Sequence, residues 1–313
     1  MADGRILEAR RQVDDFLLSA LKGNTKERYL IAASAFLDDL AAGGMTVGAM
    51  SEEDLDYALA EHIVECFHEF NGAEGIGHAG LLLAAMSKLK PHHKYRVAWR
   101  ALDVWRQRAP PNQAPAFPQD LAMAVVSWLT MAGRPREACV VLMCFTGLLR
   151  VSEALKLRGH DVVFSGPGVL LLMGVTKRGV EQRVLLSHSR VVRWLLRYLA
   201  HFGNKDLDKP LAGTSYYQVA AWLRRACAAL GFGAIHWTTH GLRRGGATQL
   251  FIANMAFADI MIAGRWMSER SCREYIRRGE VGILRLRADL PPDAWTRCRR
   301  LAVLGEESWT YQI

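Results

Sequence analysis

The sequence predicts a mainly α-helical chain with a small antiparallel β-sheet, divided into two domains. Three observations carry that reading. Apolar residues return every three or four positions through the first 108 residues and again from about residue 119, as on one face of a helix. Between these regions, APPNQAPAFP (109–118) holds four of the ten prolines, a composition that removes backbone donors and resists helix. After Glu153 the period shortens: HDVVF, VLLLMGVTK and RVLLS are strand-like runs separated by the turns SGPG and RGVEQ.

In chain order, residues 26–42 (KERYLIAASAFLDDLAA) form an amphipathic helix that Asn24 or Thr25 can cap. Ser51 followed by Glu52, Glu53 and Asp54 starts a second helix, with acids where the helix dipole favours them, running to about Phe70. NGAEGIG breaks the pattern, GLLLAAMSKLK resumes it as far as Pro91, and a further helix spans about 93–108. Residues 1–108 are thus expected to be a helical domain, 109–118 a linker, and 119–278 a second domain. That second domain opens with a helix near Gln119. Residues 137–149 (EACVVLMCFTGLL) are almost wholly apolar and predict a buried helix. Beyond the strands, helical patterns cover 189–202, 214–231, 241–253, 257–264 and 268–278. The tail, 279–313, carries a short helix, the Pro291-Pro292 break and a second helix.

The 313 residues are half hydrophobic and 23% charged, the composition of a globular protein that can bury a full core without disulfides or metal. No apolar run approaches the roughly 20 residues that span a bilayer, so no membrane partner is expected. The acid-bearing N-terminus lacks the apolar core of a secretory signal. Six cysteines occur without a CxxC pair, which predicts reduced thiols inside a cell and no zinc ribbon. The net charge of +9 is unevenly spread. Residues 1–110 hold 13 Lys/Arg against 16 Asp/Glu, and residues 111–313 hold 27 against 15. The exception in the first part is 86–108, with seven basic residues and one acid. Lys88, Lys90, Lys94, Arg96 and Arg100 are therefore the candidates there for contact with a polyanion. His92-His93 lacks the further ligands a metal site needs.

Several side chains have the chemistry to act on a phosphodiester. Arg150 ends a nearly all-apolar helix, where a planar bidentate guanidinium suits a phosphate; its plainer alternatives are reaching out to solvent or a pair with Glu153. Lys177 and Arg178 sit in a turn. His240 and Arg243, three apart at a helix start, share one face. Trp266 offers an indole N–H that donates but cannot act as a base. Tyr275 has a phenol that needs cations or a base to react near neutrality. Residues 240–278 supply seven arginines against three acids.

FTGLLRVSEALKL (145–157), TTHGLRRGGATQL (238–250) and IMIAGRWMSERSCREYI (260–276) resemble, in order, three signatures of the tyrosine recombinase/phage integrase family. GVTKRG (174–179) resembles that family's β-hairpin lysine. The spacings agree: 27 residues from Arg150 to Lys177, three from His240 to Arg243, nine from Trp266 to Tyr275. Trp266 stands where many relatives have histidine, and Arg244-Gly245-Gly246 replaces bulkier residues.

The resemblance implies a helical core-binding (SAM-like) DNA-binding domain followed by a catalytic domain. It assigns Tyr275 as nucleophile, Arg150 and Arg243 as phosphate clamps, Lys177 as proton donor to the 5′ oxygen with Arg178 as fallback, and His240 and Trp266 as further stabilisers. Glu153 supports the site and Arg244 joins the DNA-binding residues. It further implies cutting and rejoining of double-stranded DNA through a 3′-phosphotyrosyl intermediate, without cofactor or metal. Four protomers would assemble on two DNA sites, with 279–313 as a candidate arm reaching a neighbour. The place of action would be the nucleus of a eukaryote or the cytoplasm of a bacterium. The alternatives are a DNA-binding protein that keeps the fold without recombining, and a relaxase resembling type IB topoisomerases.

Overall fold

The computed structural model describes residues 23–70, 75–109, 114–166, 168–175, 181–201, 206–276, 282 and 290–304. The chain divides into two compact units between Gln113 and Ala114.

The first unit contains helices α1 (Gly23–Ala42), α2 (Glu52–Phe70), α3 (Ile76–Leu89) and α4 (Arg96–Arg108). Helix α1 lies on α3 and α2 on α4, with Phe36, Leu59, Leu82, Leu102 and Trp105 buried among them. The start of α2 is capped as its sequence suggests: the Ser51 hydroxyl accepts from the Asp54 N–H at 3.1 Å. The start of α4 has no cap of its own, since Tyr95 makes no side-chain cap bond. Asp56, buried on α2, serves instead. Its two carboxylate oxygens accept from the Val97 and Ala98 N–H groups, each at 2.9 Å, placing a negative charge at the positive end of the helix. Lys88, Lys94, Arg96 and Arg100 are exposed and Lys90 is half-buried.

The second unit is built on α6 (Pro135–Thr146), in which every residue from Ala138 to Phe145 is buried, as its apolar sequence predicts. Around it pack α5 (Gln119–Met131), the short α7 (Val151–Lys156), α8 (Ser189–His201), α9 (Tyr216–Ala229) and α10 (Thr239–Ile252). The helices α11 (Phe257–Gly264), α12 (Glu269–Arg273) and α13 (Ala294–Leu304) complete it. The strand-like runs form a three-stranded antiparallel sheet in the order β1 (Val162–Ser165), β2 (Gly168–Val175), β3 (Glu181–Leu186). Val169 pairs with Leu186 and Leu171 with Val184; all four are buried, while Leu185, between Val184 and Leu186, is exposed. That alternation is the period-2 signature of a sheet with one face on a core. Residues 176–180, which include Lys177 and Arg178, lie outside the described residues.

Four expectations change. The apolar helix ends at Thr146, not at 149, because Leu148 takes a left-handed backbone (φ +49°); Arg150 therefore begins α7 instead of ending α6. Helix α12 stops at Arg273, so Tyr275 sits just beyond it in a turn, its N–H bonded to the Cys272 carbonyl at 2.9 Å. The linker expected at 109–118 is shorter: Ala116 and Phe117 are buried, the Phe117 N–H donates to the Gly241 carbonyl at 3.1 Å, and its ring lies 4.3 Å from that of Trp237. Residues 114–118 are thus a strap fastened to α10. The tail, expected as an arm for a neighbour, contributes Leu290, Ala294 and Cys298 to the core of its own unit, with α13 packed on α5. An amphipathic helix following a proline break has its apolar face to bury, and here the face is covered within the chain.

The strap explains the two glycines that looked unusual in the sequence. A Cβ on Gly245 would lie 2.2 Å from the Phe117 carbonyl oxygen, and one on Gly246 2.0 Å from that of Phe145. Helix α10 is pressed between strap and α6 too closely for any side chain at either position.

Candidate active site

The site forms where α6 gives way to α7, where α10 begins, and where α11 hands over to α12. Helix α10 starts at Thr238, whose hydroxyl accepts from the Gly241 N–H at 3.4 Å. The first turn then projects His240 and Arg243.

Arg243 is completely buried. Its Nη1 donates to the carbonyl of Leu148 and its Nη2 to that of Gly264 at 2.6 Å. The left-handed turn at Leu148 aims its carbonyl into the site, at a backbone cost of about 1–2 kcal/mol for a residue with a Cβ. The guanidinium carbon lies 4.8 Å from the Trp266 ring centroid and 5.5 Å from that of Tyr275. Burial pushes the Arg243 pKa down, with Arg150 and Arg265 pushing the same way, and the group still keeps its charge at neutral pH.

Glu153 is the hub. Its Oε1 accepts from Arg150 Nη1 at 2.6 Å, and its Oε2 accepts from the Arg150 backbone N–H at 2.8 Å and from Arg265 Nη2 at 2.7 Å. Arg243 Nη1 stands 3.8 Å from the same oxygen. Burial alone would raise the carboxyl's pKa; the hydrogen bonds from Arg150 and the charges of Arg265 and Arg150 outweigh it and hold it below the ordinary value. One carboxylate thus faces three guanidinium groups. Arg150 is the outermost of them, with 40% of its side chain exposed, and pairs with Glu153 while facing outward.

Tyr275 is half-buried, with its ring 5.1 Å from that of His240 and 4.8 Å from that of Trp266. Its backbone carbonyl accepts from the Thr248 hydroxyl on α10 at 3.2 Å, which ties the tyrosine's turn to the helix bearing His240 and Arg243. Burial and then the charges of Arg244, Arg243 and Arg150 lower the His240 pKa, so the imidazole is neutral at pH 7 and can accept a proton. Trp266 is buried with Leu148, Ala247, Ile260 and Cys272, so it is a packing residue as well as a wall of the site. Its ring lies against Gly264, where a Cβ would meet it at 1.7 Å.

Arg150, His240, Arg243, Trp266 and Tyr275 therefore converge, with Glu153 between the guanidinium groups. Lys177 and Arg178 fall outside the described residues. Arg244, expected at DNA, is buried and donates to the Ala114 carbonyl at 2.6 Å, so it fastens the strap. The sequence reading missed Arg265 and the carbonyls of Leu148 and Gly264. An arginine after a glycine at the end of the apolar run IMIAG was a signal for the first; backbone acceptors leave none. Among the described residues no cluster of His, Cys, Asp or Glu is arranged to hold a metal ion, and no helix is long and apolar enough to cross a membrane. Cys144 lies in the core beside the site, and burial pushes its thiol up to about 12, which leaves it inert.

Residues 129–280 match the phage integrase family. No curated protein is detectably similar to the chain in sequence. Among solved structures, the XerH site-specific recombinase bound to a palindromic difH substrate shares 15% identity at a TM-score of 0.52, over 83% of this chain and 78% of that one. The Tn1549 transposon integrase in complex with transposon right-end DNA shares 14% at 0.55, over 85% and 95%. A lambda integrase tetramer bound to a Holliday junction shares 12% at 0.55, over 88% and 81%. At these identities the likeness speaks for the fold; the family match and the converging residues speak for the site. Residues 129–280 thus form a domain of the phage integrase family.

Proposed function

We propose that this chain is a site-specific DNA recombinase that cuts and rejoins DNA through Tyr275. The observation that carries the reading is charge imbalance around a phenol. Arg150, Arg243 and Arg265 surround one carboxylate, and Tyr275 is beside them. A site with cations in excess is completed by an anion, and a phosphodiester gains charge on its non-bridging oxygens in the transition state, where fixed donors stabilise it most.

In the cleavage step the Tyr275 oxygen bonds to phosphorus while the bond to the 5′ oxygen breaks. The phenol proton passes to neutral His240, which stands beside the ring. Arg150 and Arg243 hold the non-bridging oxygens, and the indole N–H of Trp266 adds a donor. Lys177 protonates the departing 5′ oxygen, leaving a 3′-phosphotyrosyl bond and a free 5′ hydroxyl. Attack by a 5′ hydroxyl of another strand reverses the step and releases the tyrosine. The bond energy is kept in the covalent intermediate, so no cofactor is required. Lys88, Lys90, Lys94, Arg96 and Arg100 contact the DNA backbone, which makes binding fall steeply with salt. The lambda integrase structure is a tetramer on a four-way junction, and four copies of this chain on two DNA sites form the corresponding assembly here. Acting on DNA places the protein inside the cell.

A nicked suicide duplex tests the reading. Wild type should become covalently attached to the 3′ phosphate and Tyr275→Phe should not. Tight DNA binding without an adduct would mean a binding protein; relaxation of supercoiled DNA by a monomer would mean a topoisomerase-like enzyme.

A further inference from the structure

We propose that Arg265 is a positioning residue for strand cleavage: it fixes Glu153, and through Glu153 it fixes the guanidinium of Arg150. The proposal rests on the recombinase reading above and adds to it a residue that the chemistry itself does not call for.

Unlike Arg243, which lies against the Tyr275 ring, Arg265 makes its contacts to Glu153 and Leu148. Only 6% of the Arg265 side chain is exposed. Its Nε and Nη1 are shielded from solvent and have no acceptor among the described residues. Its remaining donor, Nη2, reaches the Glu153 Oε2 at 2.7 Å and the Leu148 carbonyl at 3.2 Å. Both acceptors are shared with residues of the site. Glu153 gives its other oxygen to Arg150, and Leu148 accepts from Arg243. Arg265 therefore touches the holders of both clamps and neither clamp itself.

The backbone supports the same reading. Arg265 follows the last residue of α11 in the left-handed conformation, φ +59° and ψ +39°. Glycine takes that conformation without strain and is the usual residue there. An arginine at this point is explained by its side chain. Residues 264–266 each engage the site in turn: the Gly264 carbonyl receives Arg243, Arg265 holds Glu153, and the Trp266 ring lies against Arg243 and Tyr275. Arg150 has most to lose, because its partly exposed side chain regains several rotamers if Glu153 is not held. The groups facing Glu153 are Arg150 from its own turn, Arg243 from α10, Arg265 from the end of α11 and the Cys144 thiol from α6.

The test uses the full chain with Arg265→Gln and Arg265→Lys, and reads two quantities. In single-turnover cleavage of the suicide duplex, Arg265→Gln should lose about 10- to 100-fold in rate, the scale of a misplaced reacting group, with the Kd for DNA changed less than about threefold. Arg265→Lys should recover much of the rate. The second quantity is independent of cleavage: in side-chain 15N spectra, rotation of the Arg150 guanidinium about its Nε–Cζ bond should be slow in wild type, fast in Arg265→Gln and slow again in Arg265→Lys. Should Arg265→Gln fail to fold, Arg265→Gly replaces it, since glycine relieves the backbone while removing the same contact. Wild-type cleavage by the Gln or Gly variant, or an Arg150 signal unchanged by it, overturns the proposal. If wild type itself makes no adduct, the recombinase reading fails, and the Arg150 signal still decides whether Arg265 positions it.

Discussion

Each unit holds a carboxylate largely shielded from solvent, and the difference between the two separates structure from chemistry. Asp56 in the first unit is satisfied by two backbone N–H groups of α4, and its charge is used up in capping that helix. Glu153 in the second is shared by three guanidinium groups, so positive charge is left over. Glycines inside helices divide the same way. A Cβ on Gly77, within α3 of the first unit, meets nothing within 4 Å, whereas one on Gly246 would lie 2.0 Å from a carbonyl oxygen. At Gly77 the first unit leaves room for a side chain. In the second, backbone approach and charge are both pushed beyond what folding alone requires.

The most severe way to break the comparison is to change a clamp while keeping its charge. In Arg243→Lys, one ammonium cannot reproduce two diverging bonds to the Leu148 and Gly264 carbonyls. Cleavage of the suicide duplex should fall by about 10³-fold, as for an arginine that stabilises phosphoryl transfer, while gel-shift affinity changes little. Equal cleavage by the lysine variant would show that Arg243 supplies only charge. Next in size is Gly246→Ala, which forces a methyl against the Phe145 carbonyl and should cost about 3 kcal/mol or more in a urea melt. Gly77→Ala should instead be neutral or stabilising by up to about 1 kcal/mol. If both glycines tolerate alanine, α10 is not confined as the geometry says.

The carboxylates can then be compared directly. Asp56→Asn replaces one acceptor by an NH₂ that faces a backbone donor, and should destabilise the protein by about 1–3 kcal/mol without changing the cleavage rate of the folded fraction. Glu153→Gln should do the opposite. With its charge gone, Arg150 and Arg265 lose their common partner, and cleavage should fall at least tenfold, on the scale of a misplaced catalytic group. Cleavage lost in the first variant and kept in the second would reverse the distinction drawn between the two units.

What was legible in the sequence follows from the range of the forces involved. Helix and strand periods and the buried α6 could be read because each depends on residue type and short spacing, whereas Arg150, His240, Arg243, Trp266 and Tyr275 were marked by the resemblance of three short motifs to a family. The cap that Asp56 makes on α4 spans 41 and 42 residues, and nothing beside Tyr95 announces it. The fastening of the 114–118 strap spans 130 residues, from Arg244 to Ala114. Proline content gave that stretch the look of a linker, because proline signals the absence of helix and says nothing about burial. The end of α6 was misplaced because an apolar Leu148-Leu149 continues a helical pattern that only the left-handed turn at Leu148 interrupts. Arg265 was overlooked for a similar reason: its importance comes from the direction in which an unusual backbone conformation sends it.

The smallest effect concerns pH and tests whether the site's excess positive charge reaches the proton acceptor. An unshifted imidazole with a pKa near 6.5 is about three-quarters protonated at pH 6. Burial and then the charges of Arg244, Arg243 and Arg150 lower the His240 pKa below that value. The folded protein therefore binds the proton less readily than the unfolded chain. The stability that neutral His240 contributes is complete above pH 6.5 and declines as pH falls from there towards the folded pKa. Cleavage that needs the neutral ring should accordingly hold its rate from pH 7.5 down to about 6.5 and weaken only at lower pH. In Arg150→Gln one of the three cations acting on the ring is gone. Whatever cleavage remains should begin to weaken at a higher pH than in wild type. An acid limb in the same place in both proteins would mean that the surplus charge around Glu153 does not set the protonation of His240.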